Sequence, residues 1–178
     1  SEKGGGADKV TGDTKKIRVM TSKDTERAAY IVNECWKTTY QGYVADVQLS
    51  TQWCQKRGDA IRSEVESGSL ENFVYDDGEV QGILTCGKCC DGDKTDAFEL
   101  WRIYVDVEKQ GQKIGSKLLK FGENLAREEG FSEIIIWAFS KNKPACEFYR
   151  KNGYEILDKK QLGENFHAEG VRFRKTIS

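Results

Sequence analysis

Glu99–Leu119, ELWRIYVDVEKQGQKIGSKLL, reads in succession as a strand, a turn and a helix. Leu100, Trp101, Ile103, Tyr104, Val105 and Val107 are apolar, aromatic or β-branched and show no helical period, the signature of a strand. Ile114, Leu118, Phe121 and Leu125 then recur along one face of a helix. Between them Gln110-Gly111-Gln112-Lys113-Ile114-Gly115-Ser116 is polar and carries two glycines at the mouth of that helix. The first amides of a helix have no partner inside it, and the helix dipole adds roughly half a positive charge there. Such a turn suits an anion, and phosphate above all.

Working outward, Glu133–Phe139 is short and apolar on both faces, as a central strand is. Asn142-Lys143-Pro144 opens a helix, with Asn142 as cap and Pro144 in the first turn. That helix stops at Asn152-Gly153, and Tyr154–Leu157 and Val171–Ile177 read as two last strands around a Glu164–Gly170 loop. Upstream, Ile17–Met20 alternates like an edge strand, and Asp24 to about Tyr40 has a helical stripe of Ala28, Val32, Cys35, Trp36 and Thr39. Asp46 to about Ser67 reads as a second helical region, broken near Gly58. Asn72–Tyr75 and Val80–Leu84 pair across the hairpin signal Asp76–Glu79. The order is β-α-α-β-β-β-α-β-α-β-β, an α/β arrangement (an α+β mixed sheet) with a right-handed parallel crossover from Phe98 to Phe139.

The glycine-rich, charged segment 1–16 reads as a disordered lead-in, and residues 17–178 as a single domain. Hydrophobic residues are 38%, charged residues 32% and the formal net charge is −1, so no charge excess argues for a nucleic acid or a membrane surface as partner. No apolar run nears the ~20 residues of a membrane span, and no signal-peptide layout is present. A cytoplasmic protein with reduced thiols is the expectation for its six cysteines. Cys86 and Cys89 form a CxxC, yet there is no second pair and the one histidine is His167, so no metal site is expected.

Gln110 to Ser116 resembles the pyrophosphate-binding segment of the GNAT superfamily of acyl-CoA-dependent N-acetyltransferases, whose pattern is Gln or Arg, two residues, Gly, one residue, then Gly or Ala. Gln110 and Gly115 match, while Lys113 stands where the first glycine of the pair is expected. Asn142–Tyr154 is similar to the family's N-x-x-A-x-x-F-Y-x-x-x-G-F/Y segment at every one of those positions. The resemblance covers about residues 17–177 and implies the GNAT-like fold, a central mixed sheet with helices on both faces. It implies acetyl-CoA as co-substrate, with no metal, and a small-molecule or peptide amine as acceptor, in a monomer or homodimer.

By the same resemblance, Ile103, Tyr104 and Val105 pair their backbone with the pantetheine arm as an added strand. Gln110, Gly111, Gln112, Lys113, Ile114, Gly115 and Ser116 wrap the pyrophosphate. Asn142, Ala145 and Phe148 lie along the coenzyme, and Tyr149 stands near its sulfur as general acid. Glu99, at the entry of the preceding strand, is the expected base, because a free alkyl amine with a pKa near ~10.4 must shed a proton before it attacks. Tyr40, Tyr43, Trp36 and Trp53 are candidates for an aromatic acceptor wall, the two tryptophans more readily for the core. Two other readings of the same residues stay open: a non-catalytic acyl-CoA sensor, and an α/β nucleotide-binding protein of another class.

Overall fold

Runs of apolar, β-branched residues buried on both faces build the central strands of one mixed sheet, and Gly82 and Gly122 let a helix press close upon it. A computed structural model describes residues 16–42, 44–163 and 168–178. Its strands are β1 (Ile17–Val19), β2 (Glu71–Asp76), β3 (Val80–Lys88), β4 (Phe98–Val105), β5 (Glu133–Phe139), β6 (Glu155–Leu162) and β7 (Ala168–Thr176). They lie in the order β1-β2-β3-β4-β5-β7-β6, antiparallel throughout except for the β4–β5 pair. The helices are α1 (Thr25–Thr39), α2 (Thr51–Ser67), α3 (Ile114–Glu128) and α4 (Lys143–Lys151).

Helices α1 and α2 cover one face, where Ala28, Ile31, Val32, Trp36 and Ile61 pack on Val74, Ile83 and Phe139. Helices α3 and α4 cover the other, where Leu118, Leu119, Cys146 and Tyr149 pack on Leu84, Phe98, Ile134, Ile136 and Phe173. Each large aliphatic side chain fully removed from water here contributes on the order of 1.5–3 kcal/mol. The approach of α3 is set at Gly82, where an added Cβ would lie 3.0 Å from Ile114 Cγ2 and Leu118 Cδ1 and 3.2 Å from the Tyr104 carbonyl. This is the mixed sheet with helices on both faces, in the expected order.

Three expectations are corrected or refined. The second helical region does not break at Gly58, which sits inside a continuous α2 and is buried. A Cβ at Gly58 would stand 3.4 Å from Ala29 Cβ, so the glycine serves the close crossing of α1 and α2. The break falls at Ser50, between a 3-10 turn (Asp46–Leu49) and α2, and the Ser50 hydroxyl caps the helix by accepting from Trp53 N–H at 3.3 Å. The last two strands are longer than their apolar runs: β6 continues through exposed Asp158, Lys159 and Lys160 to Leu162, and β7 begins at Ala168. An edge strand held by ladder bonds needs no apolar pattern on its open side. Residues 1–15 of the expected lead-in, Tyr43, and 164–167 of the expected last loop lie outside the described residues.

Candidate active site

The site begins where two parallel strands part. The β4–β5 pairing runs only through Phe98↔Ile134 and Glu99↔Ile135; beyond it β4 stays paired to β3, and β5 to β7. The cause lies in β4 itself. Thr85 pairs with Arg102 and Cys86 with Leu100, so Trp101 is an extra residue and forms a β-bulge, which bends a strand and increases its twist. The wedge so opened exposes the free edge of β4 to a cavity of about 590 Å³.

The mouth of α3 closes one end of that cavity. Lys117 N–H is the first to bond back within the helix, to the Lys113 carbonyl, and no side chain caps the start. The amides of Ile114, Gly115 and Ser116 are therefore the unpaired set that every helix start presents. Lys113 occupies the left-handed region, φ 63° and ψ 18°, the only non-glycine among the described residues with positive φ. Thus the residue that departs from the family pattern keeps the backbone shape that glycine adopts without strain.

Ile103, Tyr104, Val105, Gln110, Gly111, Lys113, Ile114, Gly115, Ser116, Asn142, Ala145, Phe148 and Tyr149 all line this one cavity. Gln112 and Glu99 do not. The Gln110 side chain donates to the Val105 carbonyl at 3.3 Å, tying the turn to the strand end. The Asn142 side chain caps α4 by accepting from Ala145 N–H at 3.3 Å. Tyr149 is 9% exposed, its ring set among Phe148, Tyr154 and Phe173. Its hydroxyl has no hydrogen-bond partner among the described residues, and burial first, then Tyr104 and Cys146, raise its pKa. The phenol thus holds its proton at neutral pH, as a donor must.

Glu99 is 5% exposed and lies at the closed end of the wedge, on the last β4 residue paired to β5. Its Oε1 accepts from the Cys89 thiol at 3.2 Å, and burial pushes its pKa up to about 7. Asp91 completes a group with Cys89 and Glu99 whose donor atoms lie within 4.8 Å of one another. Asp91 Oδ2 already accepts from Trp137 Nε1 at 3.0 Å and from Arg172 at 3.2 Å. The two halves of the CxxC part company: Cys86 joins the core under α3, while Cys89 joins Ala97 and Ile135 on the opposite face.

Sequence reading missed Cys35, Trp101, Arg102 and Trp137 as cavity residues. Arg102 reaches the cavity while held by both oxygens of Glu64 on α2, at 2.7 and 2.9 Å. Its placement depends on the bulge, which leaves no local sequence signal. Of the proposed aromatic wall, Tyr40 lines the cavity and packs edge-on to Trp36 and Phe139, Trp36 is core, and Trp53 lies off the cavity beneath Lys56. Tyr40 and Trp36 also hydrogen-bond the Tyr104 side chain, itself driven to a higher pKa chiefly by burial.

A bulged strand parting from its parallel neighbour, with a helix start facing the gap, is the architecture of an acyl-coenzyme A-binding transferase. Residues 27–154 match the model of the acetyltransferase (GNAT) family, and the chain belongs to that family. Spermidine N(1)-acetyltransferase of Thermoplasma acidophilum is 24% identical over 150 residues, which cover 80% of this chain and 89% of that one. The structure of PaiA N-acetyltransferase from Thermoplasma acidophilum with coenzyme A superposes with a TM-score of 0.73 at 21% identity, covering 90% and 98% of the two chains. The yncA protein of Salmonella typhimurium, solved with acetyl-CoA, superposes with a TM-score of 0.69 at 17% identity, over 91% and 93%. Acetyl-CoA is the co-substrate, and the observed features fit it: bare amides and the cations Lys109 and Lys113 suit a diphosphate, and the free edge of β4 suits a chain of amides. None of the helices among the described residues is long and apolar enough to cross a membrane.

Proposed function

We propose that this protein transfers an acetyl group from acetyl-CoA to a primary amine, by direct attack of the amine on the thioester. The observation that carries this reading is the unpartnered phenol of Tyr149 in the same cavity as the open start of α3 and the free edge of β4. Bound acetyl-CoA supplies a thioester carbonyl as the electrophile. The amides of Ile114, Gly115 and Ser116 with Lys113 hold the diphosphate, and the β4 edge at Ile103–Val105 aligns the pantetheine arm. Tyr149 keeps a proton ready for the departing thiolate. The Val105 N–H, on the edge of β4 turned away from β3, faces developing negative charge, a role commonly worth about 2.7–4 kcal/mol.

Among the described residues no carboxylate lines the cavity, so the amine's proton must leave through water. Glu99 is the acceptor we assign: a buried carboxylate at the wedge apex whose proton affinity matches neutral pH. Thiol release on a panel of amines tests the whole reading, beginning with spermidine, which appears in the name of the Thermoplasma relative. Turnover on at least one amine is the expected result. Tight coenzyme binding without turnover on any amine would instead favour an acyl-CoA sensor, a reading supported by the absence of Glu99 from the cavity wall.

A further inference from the structure

Helix α4 stands between two cavities. Asn142, Ala145, Phe148 and Tyr149 face the active-site cavity, while Lys143, Cys146 and Arg150 face a second cavity of about 490 Å³. At 3.6 residues per turn the two sets occupy opposite sides of the helix. The far wall of the second cavity is Ile156, Lys159 and Val171 from β6 and β7.

Its charge is lopsided. Four cations line it against one carboxylate, Glu147, and Lys151 takes that carboxylate at 3.4 Å. Lys143, Arg150 and Lys159 have no carboxylate partner among the described residues, and they surround the Cys146 thiol, which lies 5% exposed at the cavity floor and whose pKa burial raises in spite of them. The chain as a whole carries a formal net charge of only −1, so this concentration is local. The helix dipole explains part of it: Arg150 lies in the last turn of α4, where a cation is favoured. It does not explain Lys143, in the first turn where a cation is disfavoured, nor Lys159, which belongs to a strand.

We propose that this second cavity binds a small organic anion bearing two or more negative charges, apart from the coenzyme site. Lys143, Arg150 and Lys159 neutralise the charges, and Ile156, Val171 and the Cys146 methylene hold the apolar body. The volume lies within the usual range of small-molecule sites, roughly 300–1,000 Å³. The same chemistry comes from phosphates or from carboxylates.

Calorimetric titration of coenzyme-saturated protein with inorganic tripolyphosphate and, separately, with citrate distinguishes those sources. Saturation with coenzyme A keeps the probes from the start of α3. At least one probe is expected to bind with millimolar or tighter affinity, and the double variant Arg150→Glu, Lys159→Glu to weaken it about tenfold or more. The variant's melting shift with coenzyme A should stay that of the parent, so failure here is separable from failure of the acetyltransferase reading. No binding of either probe, or equal affinity in parent and variant, overturns the proposal. Should the double variant not fold, the single neutralising variant Lys159→Gln, at an exposed strand position, decides. It must weaken binding of the probe at least about threefold, and unchanged affinity overturns the proposal.

Discussion

On the proposed mechanism Tyr149 gives the proton, and Lys113 is the departure from the family pattern. Because the Tyr149 hydroxyl has no partner among the described residues, Tyr149→Phe leaves no orphaned group behind. Stability should change by less than about 0.5 kcal/mol, and coenzyme affinity little. Thiol release should fall on the order of 100-fold, as loss of a general acid does. Equal loss of binding and turnover would reduce the tyrosine to packing. Lys113 pays for its charge with backbone strain of about 1–2 kcal/mol. Lys113→Gly removes that strain but adds unfolded-chain entropy, leaving a net gain of about 0.5–1 kcal/mol. Thermal melting of the coenzyme-free protein should rise by about 1–4 °C. Coenzyme affinity should drop a few-fold, more at low salt than at high, since an exposed charge is screened. An unchanged affinity at low salt would show that the amides alone hold the diphosphate.

At the scale of elements, the site depends on how closely α3 lies on the sheet. Gly82→Ala sets a methyl against Ile114, Leu118 and the Tyr104 carbonyl, and the last of these is backbone that cannot swing aside. Chemical denaturation should show a loss of about 1–3 kcal/mol, with weaker coenzyme binding because the helix start shifts relative to β4. A variant with parental stability would show that the helix slides at no cost. A second contact joins the start of β2 to the end of α3. Burial chiefly, then a hydrogen bond with Glu129, pushes Glu71 up to about 7. Its folded pKa exceeds its unfolded value near 4.5, so the folded state binds the extra proton. This contribution to stability is fully present below about pH 4.5 and is lost as pH rises through 7. Glu71→Gln should stabilise the protein above pH 7 by about 1 kcal/mol, allowing for solvent screening, and flatten the pH profile between. Urea titrations across that range with parallel slopes for parent and variant would contradict the assignment.

For the whole molecule, the proposed coenzyme site draws on β4, the start of α3 and α4 together, three elements that already meet around Gly115, Val105 and Phe148. A ligand that binds only the folded state raises its stability by about 2.7 kcal/mol at a hundredfold excess over Kd. Melting temperature should therefore climb several degrees with acetyl-CoA; no shift at millimolar ligand would sink the coenzyme site.

The order of elements, the start of α3, the Asn142 cap and the pairing of Phe148 with Tyr149 were legible along the chain, because each rests on neighbours within a turn or two. The break that precedes α2 falls at Ser50 and not at Gly58, since a glycine in a helical pattern signals either a break or a close crossing, and only the position of Ala29 on α1 decides. Likewise, local pattern by itself determined a strand entering a phosphate-ready helix mouth, and a tyrosine on the helix beyond. Only the tertiary structure decided that the strands part after Glu99, that Trp101 bulges, and that Glu99 is buried beside Cys89 instead of facing the cavity. Those depend on which strand pairs with which residue, a balance of ladder bonds and burial between segments far apart in the chain.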